Sequence, residues 1–120
     1  MNNRSPFLFV ASMDIDPEHE DLFNEVYDRE HVPSLSRVPG VLGIARFERV
    51  ALTMSFGGEL RRMESDAPRY HALYEIEAPE VLTGAAWAEA VEQGRWPSQV
   101  RPLTGNRRHM LLRQLPGTGA

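Results

Sequence analysis

Apolar and polar positions along the chain fall into blocks of two different periods. Phe7 to Asp14 (FLFVASMD) is a short apolar run rich in strand formers and closed by the turn-prone Asp-Ile-Asp-Pro, the pattern of a buried central strand. Asp16 can cap a helix whose first position is Pro17, with Glu18, Glu20 and Asp21 in the first turn, where acids complement the helix dipole. Leu22, Phe23, Val26 and Tyr27 then recur at helical spacing and paint an apolar stripe on one face. Pro33 lacks an N–H and disfavours helix at Val32, so the regular helix is expected to end or kink near His31, with a further turn before Pro39 and Gly40 stop it.

The next blocks alternate with a period of two. Val41 to Leu52 mixes apolar residues with Arg46, Glu48 and Arg49 as a second strand, and Tyr70 to Ile76 alternates as a third. Between them Thr53 to Arg69, holding Gly57 and Gly58, is too long for a tight hairpin and is expected to be a flap whose Met54, Phe56 and Met63 can cover a pocket or pack on their own domain. Pro79 opens a second helix to about Gln93, with Val81, Ala85, Ala88 and Val91 along one side and Gly94 placed to end it. Arg95-Trp96-Pro97 reads as a turn, Asn106 to Leu115 as the last strand and residues 116–120 as a loose tail. The order strand, helix, strand, strand, helix, strand predicts an α+β, ferredoxin-like βαββαβ domain, an antiparallel sheet with two helices on one face. Its other face, apolar as well, needs a cover, and a second copy of the chain supplies one.

Composition narrows the chemistry. A length of 120 residues with 42% hydrophobic residues supports one core, so residues 1–120 are expected to form a single domain with its core at about 7–115. There is no cysteine, which removes disulfides and thiolate chemistry, and no lysine, since all 13 basic side chains are arginine, which removes lysine Schiff bases. No window is apolar enough to span a bilayer, and Met1 to Pro6 is polar rather than the lead of a signal peptide, so a cytoplasmic location without membrane contact is expected. The net charge of -4 and pI near 5.5 argue against nucleic acid as a partner. All 17 acids nevertheless lie at or before Glu92, leaving the C-terminal segment with Arg95, Arg101, Arg107, Arg108 and Arg113 locally basic.

Tyr27-Asp28-Arg29-Glu30-His31-Val32-Pro33, followed by Val38-Pro39-Gly40-Val41 and Arg46-Phe47, resembles the EthD-like branch of the dimeric α+β barrel superfamily. At residue level the likeness is confined to about residues 22 to 50 and in element order it extends over most of the chain. The resemblance implies a homodimer whose sheets pack face to face, with a small-molecule pocket between sheet and helices in each subunit. Members include cofactor-free monooxygenases, lactone isomerases, polyketide cyclases and haem-handling enzymes, so fold alone selects no reaction.

His31 continues the buried stripe of Phe23 and Tyr27 to its end, which places an imidazole at the pocket mouth. The helix C-terminus favours its protonation and an apolar pocket opposes it, a balance suited to proton transfer or, failing that, to a structural cap. Tyr27 is a candidate to orient a ligand or share a proton with His31, and Asp28 is within reach of the imidazole along the helix. Arg46, the one charge in an apolar strand start, is a candidate to hold an enolate or carboxylate, or to bridge the dimer. His71, Phe23, Trp87 and Phe56 are candidate substrate-binding residues, each with packing as its alternative, and Trp96 flanks the same end of the second helix. The four histidines lack short ligand spacing, so no metal site and no cofactor is expected, with haem kept only on the resemblance. The leading expectation is a cofactor-independent enzyme that moves a proton on an apolar or aromatic carbonyl compound, as a cyclase, isomerase, dehydratase or monooxygenase. The alternative is a non-catalytic binding or interaction module.

Overall fold

The computed structural model describes residues 6–119; Met1 to Ser5, on which the leader reading rests, and the last residue of the tail lie outside the described residues. Four strands, β1 (Phe7–Ile15), β2 (Val41–Glu48), β5 (Tyr70–Ile76) and β6 (Thr104–Arg113), form an antiparallel sheet in the order β2-β5-β1-β6. β3 (Leu52–Phe56) and β4 (Glu59–Met63) pair separately. The helical layer comprises α1 (Glu20–Val26), α2 (Val32–Ser36) and α3 (Ala85–Ala90), with short 3-10 and π turns between and around them. The two apolar runs that occupy the sheet centre, β1 and β5, pair from Phe7 with Ile76 to Met13 with Tyr70.

Period-two alternation divides the sheet into two faces. Phe9, Ala11 and Met13 of β1, Tyr70, Ala72, Tyr74 and Ile76 of β5 and Ile44 of β2 point toward the helices. There they meet Phe23, Val26, Tyr27, Leu35, Trp96 and Val100 in one core. On the opposite face the register aligns Ala45, Leu73, Val10 and Met110 in a row across all four strands, flanked by Leu8, Leu112 and Phe47. Phe47, Met110 and Leu112 are each about half exposed there.

The structure corrects four expected elements. The second strand stops at Glu48 instead of Leu52, and the expected flap is a β-hairpin: Leu52, Met54 and Phe56 alternate with Thr53 and Ser55, and Gly57 and Gly58, both at positive φ, supply the two-residue turn. Two consecutive positive-φ residues match the right-handed strand twist, so the Gly-Gly pair makes a tight hairpin where chain length had suggested a loop. The second helix is short, because Gly84 adopts extended backbone (φ -81, ψ 163) between a 3-10 turn at Pro79–Thr83 and α3. The expected turn at Trp96 is a π-helical turn, Trp96–Val100. No helix among the described residues is long and apolar enough to cross a membrane.

Candidate functional site

Pro33 shapes the helix that carries the candidate histidine. With no N–H on Pro33, the backbone between α1 and α2 widens into a π turn at Tyr27–His31, closed by the Val32 N–H donating to the Tyr27 carbonyl. Tyr27 and His31 both face the sheet from this turn and are almost completely buried, with their rings 5.0 Å apart, edge to face. Glu30, on the same turn, accepts from the backbone N–H of Arg95 (2.9 Å) and from its Nε (2.7 Å), which fixes the start of the Trp96–Val100 turn against the helix. Trp96 is thereby laid flat on His31, with ring centroids 4.2 Å apart and planes at 21°.

Between this helical layer and the sheet lies a cavity of about 190 Å³, into which Tyr27, His31, Tyr74, Trp87 and Trp96 project, together with Phe9 and His109. Phe9 packs edge-on to Trp87 and His109, so aromatic rings wall the cavity on several sides. Arg101 and Arg107 complete its rim, and no carboxylate among the described residues lines it. Tyr27 and Tyr74 share one hydrogen bond between their hydroxyls (3.2 Å). Burial raises the pKa of both phenols, Tyr74 strongly, so both stay protonated, and the pair holds two O–H groups for one mutual bond. One O–H remains to donate to a ligand.

His31 makes no hydrogen bond through the enclosed Nδ1. Burial, helped by the Arg101 and Arg46 guanidiniums, lowers its pKa to about 4, so the ring is neutral at pH 7. The helix end does not win that contest. A buried N–H without an acceptor is a rare and costly arrangement, so the proton belongs on Nε2, the nitrogen left to reach a ligand in the cavity. His31 therefore offers the cavity a neutral N–H donor.

The structure brings His31, Tyr27 and Trp87 together and leaves the other candidates elsewhere. Arg46 lies behind Tyr27, its guanidinium carbon 4.4 Å from the ring centroid, and donates to Asp28 (2.6 Å) and Asn24 (2.9 Å) along a separate groove by β2. Asp28 is thus engaged with Arg46 rather than with His31. Phe23 is buried against Tyr27, Tyr70 and Trp96 without lining the cavity. His71 sits on the other face of the sheet, where Nε2 donates to the Pro68 carbonyl (2.8 Å) and Nδ1 accepts from the Ser12 hydroxyl (2.6 Å). Phe56 is exposed on the β3–β4 hairpin, and the Arg61 guanidinium sits over its ring. The sequence reasoning missed Phe9, Tyr74, Arg101, Arg107 and His109. Strand parity could have found Phe9 and Tyr74, since both share a face with the buried positions of their strands.

Among the described residues, no group of three or more His, Asp or Glu side chains converges on a common point. No family model matches the chain, and no curated protein matches it. Solved structures do. A variant of MhuD with two manganese protoporphyrin IX molecules bound per active site superposes with a TM-score of 0.63 at 15% identity, covering 96% of this chain and 100% of that one. MhuD from Mycobacterium tuberculosis, a heme-degrader with two hemes bound in its active site, gives 0.60 at 13%, covering 95% and 100%. An EthD family protein from Bacillus halodurans gives 0.57 at 15%, covering 91% and 99%. The fold is therefore the ferredoxin-like α+β fold of the dimeric α+β barrel proteins, and the EthD-like resemblance of residues 22 to 50 meets a solved EthD family protein at the level of fold. The expectation of no cofactor is overturned by the same matches: in two of them this fold houses porphyrins in its active site.

Proposed function

We propose that the chain binds a planar conjugated carbonyl compound in the cavity between helices and sheet and, by donating hydrogen bonds to the carbonyl oxygen, promotes loss of the adjacent proton to solvent water and its return from there. Isomerisation, cyclisation and dehydration of such compounds all gather negative charge on the carbonyl oxygen. The observation that carries this reading is the polar lining of an otherwise aromatic cavity. His31 offers an N–H and the Tyr27–Tyr74 pair an O–H, with no carboxylate among the described residues opposite them to repel an enolate. A neutral imidazole polarises a carbonyl without surrendering a proton too readily, and burial is what keeps this one neutral. We take the active molecule to be a cytoplasmic homodimer; the apolar row across the open sheet face supports the pairing.

Haem, bound by one of the structural matches while another binds manganese protoporphyrin IX, meets the aromatic walls and the neutral imidazole here but not two other features. A metal-bound imidazole almost always donates its second nitrogen to an acceptor, and Nδ1 of His31 has none. The cavity of about 190 Å³ also falls below the roughly 300–1,000 Å³ usual for drug-sized ligands, and a four-pyrrole macrocycle is large among those.

The test uses 2-acetylnaphthalene, a planar aryl ketone. Trp87 and Trp96, the chain's two tryptophans, both line the cavity, so binding should quench intrinsic fluorescence. Proton NMR in deuterium oxide should show the acetyl protons exchanging faster with the protein than in buffer. His31→Ala should slow that exchange by about 100-fold, the scale of losing one oxyanion donor. Quenching without exchange would leave a binding module in place of an enzyme. A Soret shift on titration with haemin, abolished by His31→Ala, would replace this reading with a haem site.

A further inference from the structure

A second polar feature of the cavity concerns the other end of the ligand. β6 carries an irregularity where it passes the cavity: Ser12 pairs with Arg108 but Asp14 pairs with Gly105, so two residues, Asn106 and Arg107, stand opposite Met13 alone. Asn106 is the only described non-glycine residue at positive φ (47°), and its amide is tied to Asp14 Oδ2 (2.9 Å) and to the Asp66 carbonyl (3.2 Å). Such a bulge changes which residues share a face. Thr104 and Arg107 are three apart and would point to opposite faces of a regular strand, yet here they meet.

Arg107 donates from Nε to Thr104 Oγ1 (2.8 Å) and from Nη2 to the Arg101 carbonyl (2.9 Å) and to Thr104 Oγ1 (2.5 Å). Its acceptors are all neutral oxygens, its Nη1 bonds nothing among the described residues, and no carboxylate among them pairs with it. Arg101 differs, because both its terminal nitrogens engage the Glu92 carboxylate (3.1 and 2.8 Å). The cavity rim thus holds one guanidinium that is neutralised and one that is oriented but uncompensated.

We propose that Arg107 anchors a carboxylate of the ligand, so that the compounds taken are planar aromatic or conjugated acids. The proposal rests on the planar-ligand reading of the cavity and adds the charge class. A monoanion matches the single uncompensated guanidinium, whereas a dianionic phosphate would leave a charge unbalanced beside aromatic walls. Asn106 acts as a positioning residue, holding the bulge that turns Arg107 onto Thr104.

2-Naphthoate and 2-naphthamide share one ring system and differ in charge, and Trp87 and Trp96 report both. The natural protein should bind the acid about 10- to 100-fold more tightly than the amide, the scale of a hydrogen bond to a charged group. Arg107→Gln should remove that preference while amide binding stays unchanged, and Arg107→Lys should restore part of it. Asn106→Gly, which keeps the positive φ at no steric cost, should preserve the preference. Asn106→Val, which cannot hold that backbone comfortably, should reduce it. Equal binding of acid and amide by the natural protein, or an acid preference that survives Arg107→Gln, overturns the anchor and leaves the planar-ligand reading standing. Failure of both compounds to quench overturns the two together.

Discussion

His31 shows how a position can be legible in sequence while its chemistry is not. Its place on the stripe after Phe23 and Tyr27 predicted an imidazole at a pocket mouth, and the structure puts it deeper, buried on the cavity wall. Its charge state depends first on how completely the fold buries it, with Trp96 stacked on the ring, and then on Arg101, seventy residues away, neither of which a helical period reveals. The depressed pKa sets a sign for stability. Between about 4 and the ordinary value of 6.5 the unfolded chain binds a proton that the folded one refuses, so stability rises with pH across that window and is flat above it. The full effect is on the order of 3 kcal/mol, using about 1.4 kcal/mol per pKa unit. Urea titrations from pH 3.5 to 7.5 should show this slope, and His31→Gln, which cannot titrate, should lose that part of it. A slope unchanged in His31→Gln would mean that the imidazole is not held neutral by burial.

At the scale of elements, the sequence patterns placed the sheet well and the connections poorly. β5 spans Tyr70–Ile76 as expected and β1 runs one residue longer, because alternation and strand propensity are local properties. Pro33 announced a break in the first helix near His31, and the structure has it as the Tyr27–His31 π turn, whereas the Trp96–Val100 π turn was not legible, since it answers to Glu30, far away in sequence. The contact of Glu30 with the turn after α3 carries a prediction of its own. Gly94 has φ +67, and a Cβ built there would lie 2.6 Å from Glu30 Oε1. Gly94→Ala should therefore cost about 2 kcal/mol, part backbone strain and part displacement of the carboxylate that holds Arg95. Thermal melts measure that loss. Because the displaced turn carries Trp96 off His31, fluorescence quenching by 2-acetylnaphthalene should weaken with it. A variant as stable as the natural protein would show that the Glu30–Arg95 contact gives way cheaply.

The whole molecule is shaped by a sheet with one helical layer and, on its other face, a row of apolar residues running across all four strands. The helices and sheet together bury Tyr74, Ile76 and Val26 almost completely, but the row of Ala45, Leu73, Val10 and Met110 has no layer over it among the described residues. Apolar patches that run across a whole sheet are uncommon on isolated monomers, and a two-fold pairing of identical faces covers both at once. Sedimentation velocity at micromolar concentration should give twice the chain mass of 13.6 kDa. Val10→Asp puts a charge at the centre of the row and should produce a species of one chain's mass, since an unpaired buried carboxylate costs more than the contact gains. The cavity lies on the opposite side of the sheet, so that monomer should still quench with 2-acetylnaphthalene wherever it remains folded. A natural chain that sediments at 13.6 kDa would leave the apolar row without the partner argued for it. A Val10→Asp variant that stays dimeric would move the interface to another surface, with the exposed β3–β4 hairpin bearing Leu52, Met54 and Phe56 the next to test.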